Sequence, residues 1–163
     1  GSQFWILLPI STENKPDHCE IDLSGAKDKL SRLDGLQVVV VEDNEDTRAV
    51  LREVLTVAGA EVAIMKSVPE AREYLKESEP DIILTDIAMP GVSGLEMIEQ
   101  LKSEQGNLSN IPIMVLSACA FDSDKKAALE AGASVFIAKP FRPAEVVDTV
   151  RELTLSRAMA EAE

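Results

Sequence analysis

From residue 36 to residue 155, short apolar runs alternate with stretches of helical spacing five times over. That alternation narrows the folds open to this chain more than any other feature. The runs occupy residues 37–41, 61–66, 81–85, 112–116 and 134–138. Four are nearly all apolar, as parallel strands covered on both faces should be, while the second alternates and reads as an edge strand. Between them apolar residues recur at helical spacing: Val50, Leu51, Val54, Leu55 and Ala58; Val68, Ala71 and Leu75; Met97, Ile98 and Leu101; Val146, Val147, Val150 and Leu153. Residues 122–131 read as a helix whose inward face is mostly alanine. Gly59, Pro80, Gly106 and Gly132 stand where these helices should stop.

Five βα units joined by right-handed crossovers predict an α/β fold, a doubly wound (βα)5 domain over residues 36–155. Its parallel five-stranded sheet is expected in the flavodoxin-like strand order 2-1-3-4-5. Ahead of it, residues 11–35 are polar and carry Pro16, with apolar residues too sparse for a buried face. They read as a linker, with a short helical stretch over residues 26–33. Residues 1–10, GSQFWILLPI, are apolar on both alternating faces and read as a strand, and residues 156–163 as a C-terminal tail. The first ten lack the basic flank and small-residue cleavage site of a signal peptide, and no apolar run approaches the roughly 18 residues of a membrane span. Sixteen Lys and Arg against 29 Asp and Glu leave a net charge of −13. Such a surface repels phosphate backbones and anionic lipid, which argues against direct nucleic-acid or membrane binding. Cys19 and Cys119 are too few and too far apart for a disulfide framework, so a cytoplasmic location is expected.

In a doubly wound sheet, ligands sit beyond the carboxyl ends of the strands, where the strand order reverses. Those ends carry Glu42 and Asp43 after strand 1, Asp86 after strand 3, Ser117 after strand 4 and Lys139 after strand 5. Three carboxylates gathered on one rim repel one another, and a hard divalent cation such as Mg²⁺ relieves the repulsion. With Lys139 included, the charges of that set cancel. A carboxylate can also attack phosphorus to give an aspartyl phosphate, and Asp86 is the best placed to do so. Simpler readings exist for each: Asp43 as a helix cap, Asp86 as a turn former, Ser117 as a structural hydroxyl, Phe136 as core. The shared rim favours the site for Asp43, Asp86 and Ser117, while Phe136, inside strand 5, stays open between core and site. His18 has no companion ligands and is assigned no role. Lys139 has to turn back toward the acids while Pro140 ends the strand, so a cis Lys139–Pro140 bond is expected.

The stretches VVEDNEDTR, DIILTDIAMPGVSGLE, IMVLSA and FIAKPF, in this order and spacing, resemble the receiver domain of two-component response regulators over about residues 36–155. The resemblance implies that Asp86 accepts a phosphoryl group from phosphohistidine, on a histidine kinase or a histidine phosphotransfer domain. It implies that Glu42, Asp43, Asp86 and the backbone carbonyl of Ala88 hold Mg²⁺. Ser117 and Lys139 would bind the phosphoryl oxygens, and Phe136 would swing inward when Ser117 moves. The output would pass through the face of helix 4, strand 5 and helix 5 to a downstream receiver or effector. The acid pair is Glu-Asp rather than the commoner Asp-Asp, and the switch hydroxyl is Ser rather than Thr. GSQFWILLPI in turn resembles the final strand of the ATP-binding domain of sensor histidine kinases, which implies the C-terminal receiver of a hybrid kinase. The fragment itself would then be a phosphoacceptor, not an enzyme.

Three other readings compete with this one. A phosphatase resembling the haloacid dehalogenases needs a second Asp two residues after the nucleophile, where Ala88 stands. A dinucleotide-binding module needs glycines where EDNEDT offers acids. A degenerate receiver, acting as a phosphorylation-independent interaction module, is expected to have lost some of the acids, Ser117 or Lys139, and all are present.

Overall fold

The computed structural model describes residues 33–104, 106–118 and 121–162. The strand expected at residues 1–10, the linker up to residue 32, His18, Cys19 and Cys119 lie outside the described residues.

Five parallel strands, β1 (Gln37–Val41), β2 (Glu61–Met65), β3 (Ile82–Thr85), β4 (Ile113–Ser117) and β5 (Val135–Ala138), form one sheet in the order β2-β1-β3-β4-β5. Every strand boundary falls within one residue of its predicted span. Five α-helices follow the strands: α1 (Glu45–Val57), α2 (Val68–Leu75), α3 (Gly94–Ser103), α4 (Asp122–Ala131) and α5 (Pro143–Glu161). A 3-10 turn at Asn107–Asn110 leads into β4.

The period-2 geometry of a strand explains the run of valines in β1. Val39 and Val41 face one layer with Ala71 and Leu75 of α2 and Met97, Ile98 and Leu101 of α3. Val38 and Val40 face the other, with Leu51 and Leu55 of α1 and Val146, Val147 and Val150 of α5. Both faces are therefore covered, and each buried valine contributes about 1.5–3 kcal/mol. β2 lies at one edge, as its alternation predicts, and most of its side chains are only half-buried. Helix starts follow their capping residues: the side chains of Asn44, Ser67 and Ser93 accept from the N–H of Thr47, Glu70 and Glu96. Gly132 ends α4 in the left-handed region at φ 110°, which L side chains rarely adopt.

Two differences from the sequence reading concern its boundaries. Leu33, assigned to the linker, is fully buried, and its N–H donates to the Ala58 carbonyl at 3.0 Å. Leu33 stands three residues from Leu30 and from Leu36, but so short a pattern in a polar stretch does not distinguish a buried leucine from a linker residue. At the other end, α5 continues to Glu161, through most of the expected tail. No glycine or proline interrupts SRAMAE, and Arg157 ties this extension to the body by donating to the Pro80 carbonyl at 3.3 Å.

Candidate functional site

The sheet itself sets the spacing of the site. Each key residue stands just past a strand end, yet its backbone N–H still donates to the neighbouring strand: Glu42 to Met65 at 3.1 Å, Asp86 to Val41 at 3.1 Å and Lys139 to Ser117 at 2.8 Å. Their side chains therefore leave the same rim at strand spacing. Across it, Lys139 Nζ donates to Glu42 Oε2 and to Asp86 Oδ2, both at 2.6 Å. The Lys139–Pro140 peptide is cis.

Both acids are buried, Glu42 to 2% exposure and Asp86 to 6%. The remaining oxygens are occupied from the backbone: Asp86 Oδ1 accepts the Ala88 N–H at 2.8 Å, and Glu42 Oε1 the Asn44 N–H at 3.2 Å. Burial pushes the Glu42 pKa above the usual carboxylate value, and the hydrogen bond and charge of Lys139 offset this only in part. Burial alone would lower the Lys139 pKa, but its hydrogen bonds to Asp86 and Glu42, with their negative charges, raise it. Lys139 is thus held as a cation.

The other expected residues fall around this cluster. Asp43 follows Glu42 and is exposed. Ser117 is fully buried at the end of β4. Phe136 is half-buried in β5 and packs on the α2–α3 layer. Of the three carboxylates, Glu42 and Asp86 are bridged by Lys139, and Asp43 stands exposed next to Glu42 in the chain. Among the described residues no three Asp, Glu, His or Cys side chains stand close enough to form a ready-made metal cage. Asp43 lies at a bend past the end of β1, where the chain turns toward α1. The donor set still suits Mg²⁺, which takes one or two carboxylates, accepts a carbonyl and retains water.

Sequence reasoning missed two residues that shape the site. Gly94, the first residue of α3, lies so close to the chain that a Cβ there would come within 2.1 Å of the Asp86 carbonyl oxygen. Its one sequence signal was a glycine at a helix start where alanine is the better helix former. Arg48, on α1, donates from Nη1 to the carbonyls of Glu42 at 2.9 Å and Asp43 at 2.6 Å. Nothing in the sequence sets it apart from the other helix cations.

The family model described as response regulator receiver domain matches residues 38–151. The chain is 32% identical, across 96% of its length, to the sensory/regulatory protein RpfC of Xanthomonas campestris, and spans about a quarter (24%) of that protein. It is 33% identical to the polar-differentiation response regulator DivK of Brucella ovis, with 70% of this chain and 92% of DivK covered. Among solved structures, the receiver domain of sensor histidine kinase PA1611 from Pseudomonas aeruginosa superposes with a TM-score of 0.68 at 27% identity. That match covers 74% of this chain and 98% of the other, and the PA1611 structure has a magnesium ion coordinated in its active-site cleft.

Proposed function

Because this chain belongs to the response regulator receiver domain family, we propose that it is a phosphoacceptor switch in a two-component phosphorelay, with Asp86 as the acceptor. The carrying observation is the Asp86 carboxylate itself, nearly buried at the switch point of the sheet, with one oxygen 2.6 Å from Lys139 Nζ and the other 2.8 Å from the Ala88 nitrogen. Those contacts aim the carboxylate and lower its repulsion toward an incoming anion. In the transfer, an Asp86 oxygen bonds to phosphorus while the phosphorus–nitrogen bond of a phosphohistidine breaks. The imidazole keeps that electron pair.

Glu42, Asp43, Asp86 and the Ala88 carbonyl are the groups that would hold Mg²⁺. When bound, the ion would neutralise charge on the phosphoryl oxygens. Lys139 would exchange its bonds to the two carboxylates for a phosphoryl oxygen, and Ser117 would donate a second hydrogen bond. Because Lys139 trades bonds it already makes, the Ser117 bond, at about 1.5–3 kcal/mol, is the new contribution that biases the two-state equilibrium toward the phosphorylated form. Phe136, half-buried on β5, would report that shift to the face of α4, β5 and α5. Ala88 has no polar side chain to orient an attacking water, so the phosphoryl group would be long-lived.

The donor would be a histidine kinase or histidine phosphotransfer domain reaching Asp86 from the open rim. There, Val50, Ala118, Pro140 and Phe141 line a shallow groove beside Lys139. The part of this chain left out of the RpfC match, 4%, is shorter than the stretch before residue 38. This supports a receiver carried by a longer sensor, a hybrid histidine kinase. No helix among the described residues is long and apolar enough to cross a membrane. A cytoplasmic location is proposed from the phosphorelay role, since that is where a phosphohistidine donor would meet Asp86.

Intact-mass spectrometry after incubation with acetyl phosphate tests the reading. The expected result is one added phosphoryl group with Mg²⁺ and none without it. An Asp86→Asn protein that still gains the group would overturn the assignment.

A further inference from the structure

We infer that Arg48 is the positioning residue of the acidic loop, holding the main chain of Glu42 and Asp43 so that their carboxylates remain available to a divalent cation. The inference rests on the metal-binding part of the proposed function. It starts from what the guanidinium touches. Arg48 sits among Glu42, Asp43, Glu45 and Asp46, any of which could pair with it, yet its Nη1 donates to the carbonyl oxygens of Glu42 at 2.9 Å and Asp43 at 2.6 Å.

Two consecutive carbonyls converging on one nitrogen fix two peptide planes at once. The neighbouring restraints are local. Glu42 N–H donates to Met65 at 3.1 Å on the β1 side, and the Asn44 side chain accepts the Thr47 N–H at 2.9 Å on the helix side. Arg48 spans the two residues between them. It is anchored in α1, where its own N–H donates to the Asn44 carbonyl at 3.0 Å, so its guanidinium ties the first turn of the helix to the acid pair. Because Arg48 holds carbonyls, it does not itself compete for the carboxylates, of which Glu42 is already bridged by Lys139. An arginine paired to the Asp43 carboxylate would have to be displaced before a cation could use it.

Charge and position predict opposite signs, which makes the proposal testable. As a bare positive charge, Arg48 repels a second cation, and its removal should tighten Mg²⁺ binding. As a positioning residue, its removal should weaken binding. Arg48→Met is therefore expected to raise the Mg²⁺ dissociation constant about tenfold, the low end of what loss of an orienting partner costs a metal site. Titration calorimetry on the full chain, with thermal midpoints measured alongside, provides the reading. Unchanged or tighter binding by a folded Arg48→Met protein overturns the inference. If that variant does not fold, Arg48→Gln, whose amide can keep one carbonyl, should weaken binding by a smaller factor, and unchanged affinity overturns the inference equally.

A second readout needs no metal. In Mg²⁺-free buffer the Asn44 amide, which donates to Glu42 Oε1 at 3.2 Å, should exchange faster in the variant while the β1 amides do not. Equal exchange at Asn44 also refutes the hold on the loop. A wild-type chain that binds no Mg²⁺ overturns the metal reading of the site and with it Arg48's role toward the cation, whatever the exchange shows.

Discussion

Replacing Gly94 with alanine sets two local rules against each other. By helix propensity alone, alanine improves a helix over glycine by about 0.5–1 kcal/mol. In this fold the new Cβ would lie 2.1 Å from the Asp86 carbonyl oxygen and 3.0 Å from both the Asp86 carbonyl carbon and Ile87 Cα. All three are backbone atoms at the end of a central strand, so no flexible side chain can give way. Real contacts of this kind need roughly another ångström, and forcing extra volume into packed structure costs about 1–3 kcal/mol. The contact outweighs the propensity. A net loss near 1–2 kcal/mol should lower the thermal midpoint of a domain this size by about 3–8 °C. The displacement falls on Asp86, whose carbonyl also accepts the Thr85 hydroxyl at 3.0 Å. Misplacing a reacting group by an ångström can slow a reaction about a hundredfold, so phosphoryl uptake from acetyl phosphate should slow at least tenfold. Calorimetry and timed intact-mass measurements test both effects. A Gly94→Ala protein with an equal or higher midpoint and wild-type uptake would refute the reasoning, because the close approach would then not constrain Asp86.

Lys139→Met leaves Glu42 and Asp86 facing each other without their cation; losing one partner of a buried pair costs about 3–5 kcal/mol. With Lys139 16% exposed on an open rim, about 1–3 kcal/mol is expected in urea unfolding, and no loss would show the pair to be unimportant to stability. The raised Lys139 pKa means that its contribution is fully present below about pH 10.5 and fades as pH climbs through the folded value. Lys102 behaves oppositely: burial and then the Arg157 charge lower its pKa, so the folded state binds its proton less tightly than the unfolded chain does. The stability of wild type relative to Lys102→Met should therefore grow as pH rises through the lowered folded pKa toward 10.5, and a constant difference would contradict the shift. Deleting residues 1–31 should leave the midpoint nearly unchanged, whereas extending the deletion through the fully buried Leu33 should cost about 1.5–3 kcal/mol; equal midpoints for the two truncations would refute that anchor.

The sequence by itself determined the architecture and the rim. Unbroken apolar runs can satisfy both faces of a strand only under two helical layers, so Val38 to Val41 and Ile82 to Leu84 had to be central. The single alternating run had to be an edge. Once the strand ends were placed, Glu42, Asp86, Ser117 and Lys139 had to share one end of the sheet, because every parallel strand presents its carboxyl end there. Tertiary structure alone decided how those groups meet. That Lys139 bridges two carboxylates while Asp43 faces solvent depends on side-chain direction at residues past the strands, where no periodicity operates. That Gly94 must lack a side chain depends on a helix start pressed against a strand end eight residues away in sequence. That Arg48 holds carbonyls in the midst of acids depends on where the first turn of α1 rests. Leu33 joined the core and α5 outran its expected end for a related reason: one buried leucine or one long-range bond from Arg157 leaves no pattern long enough to read in the sequence. Patterns report repeated environments, whereas single contacts between distant residues exist only once the chain has closed on itself.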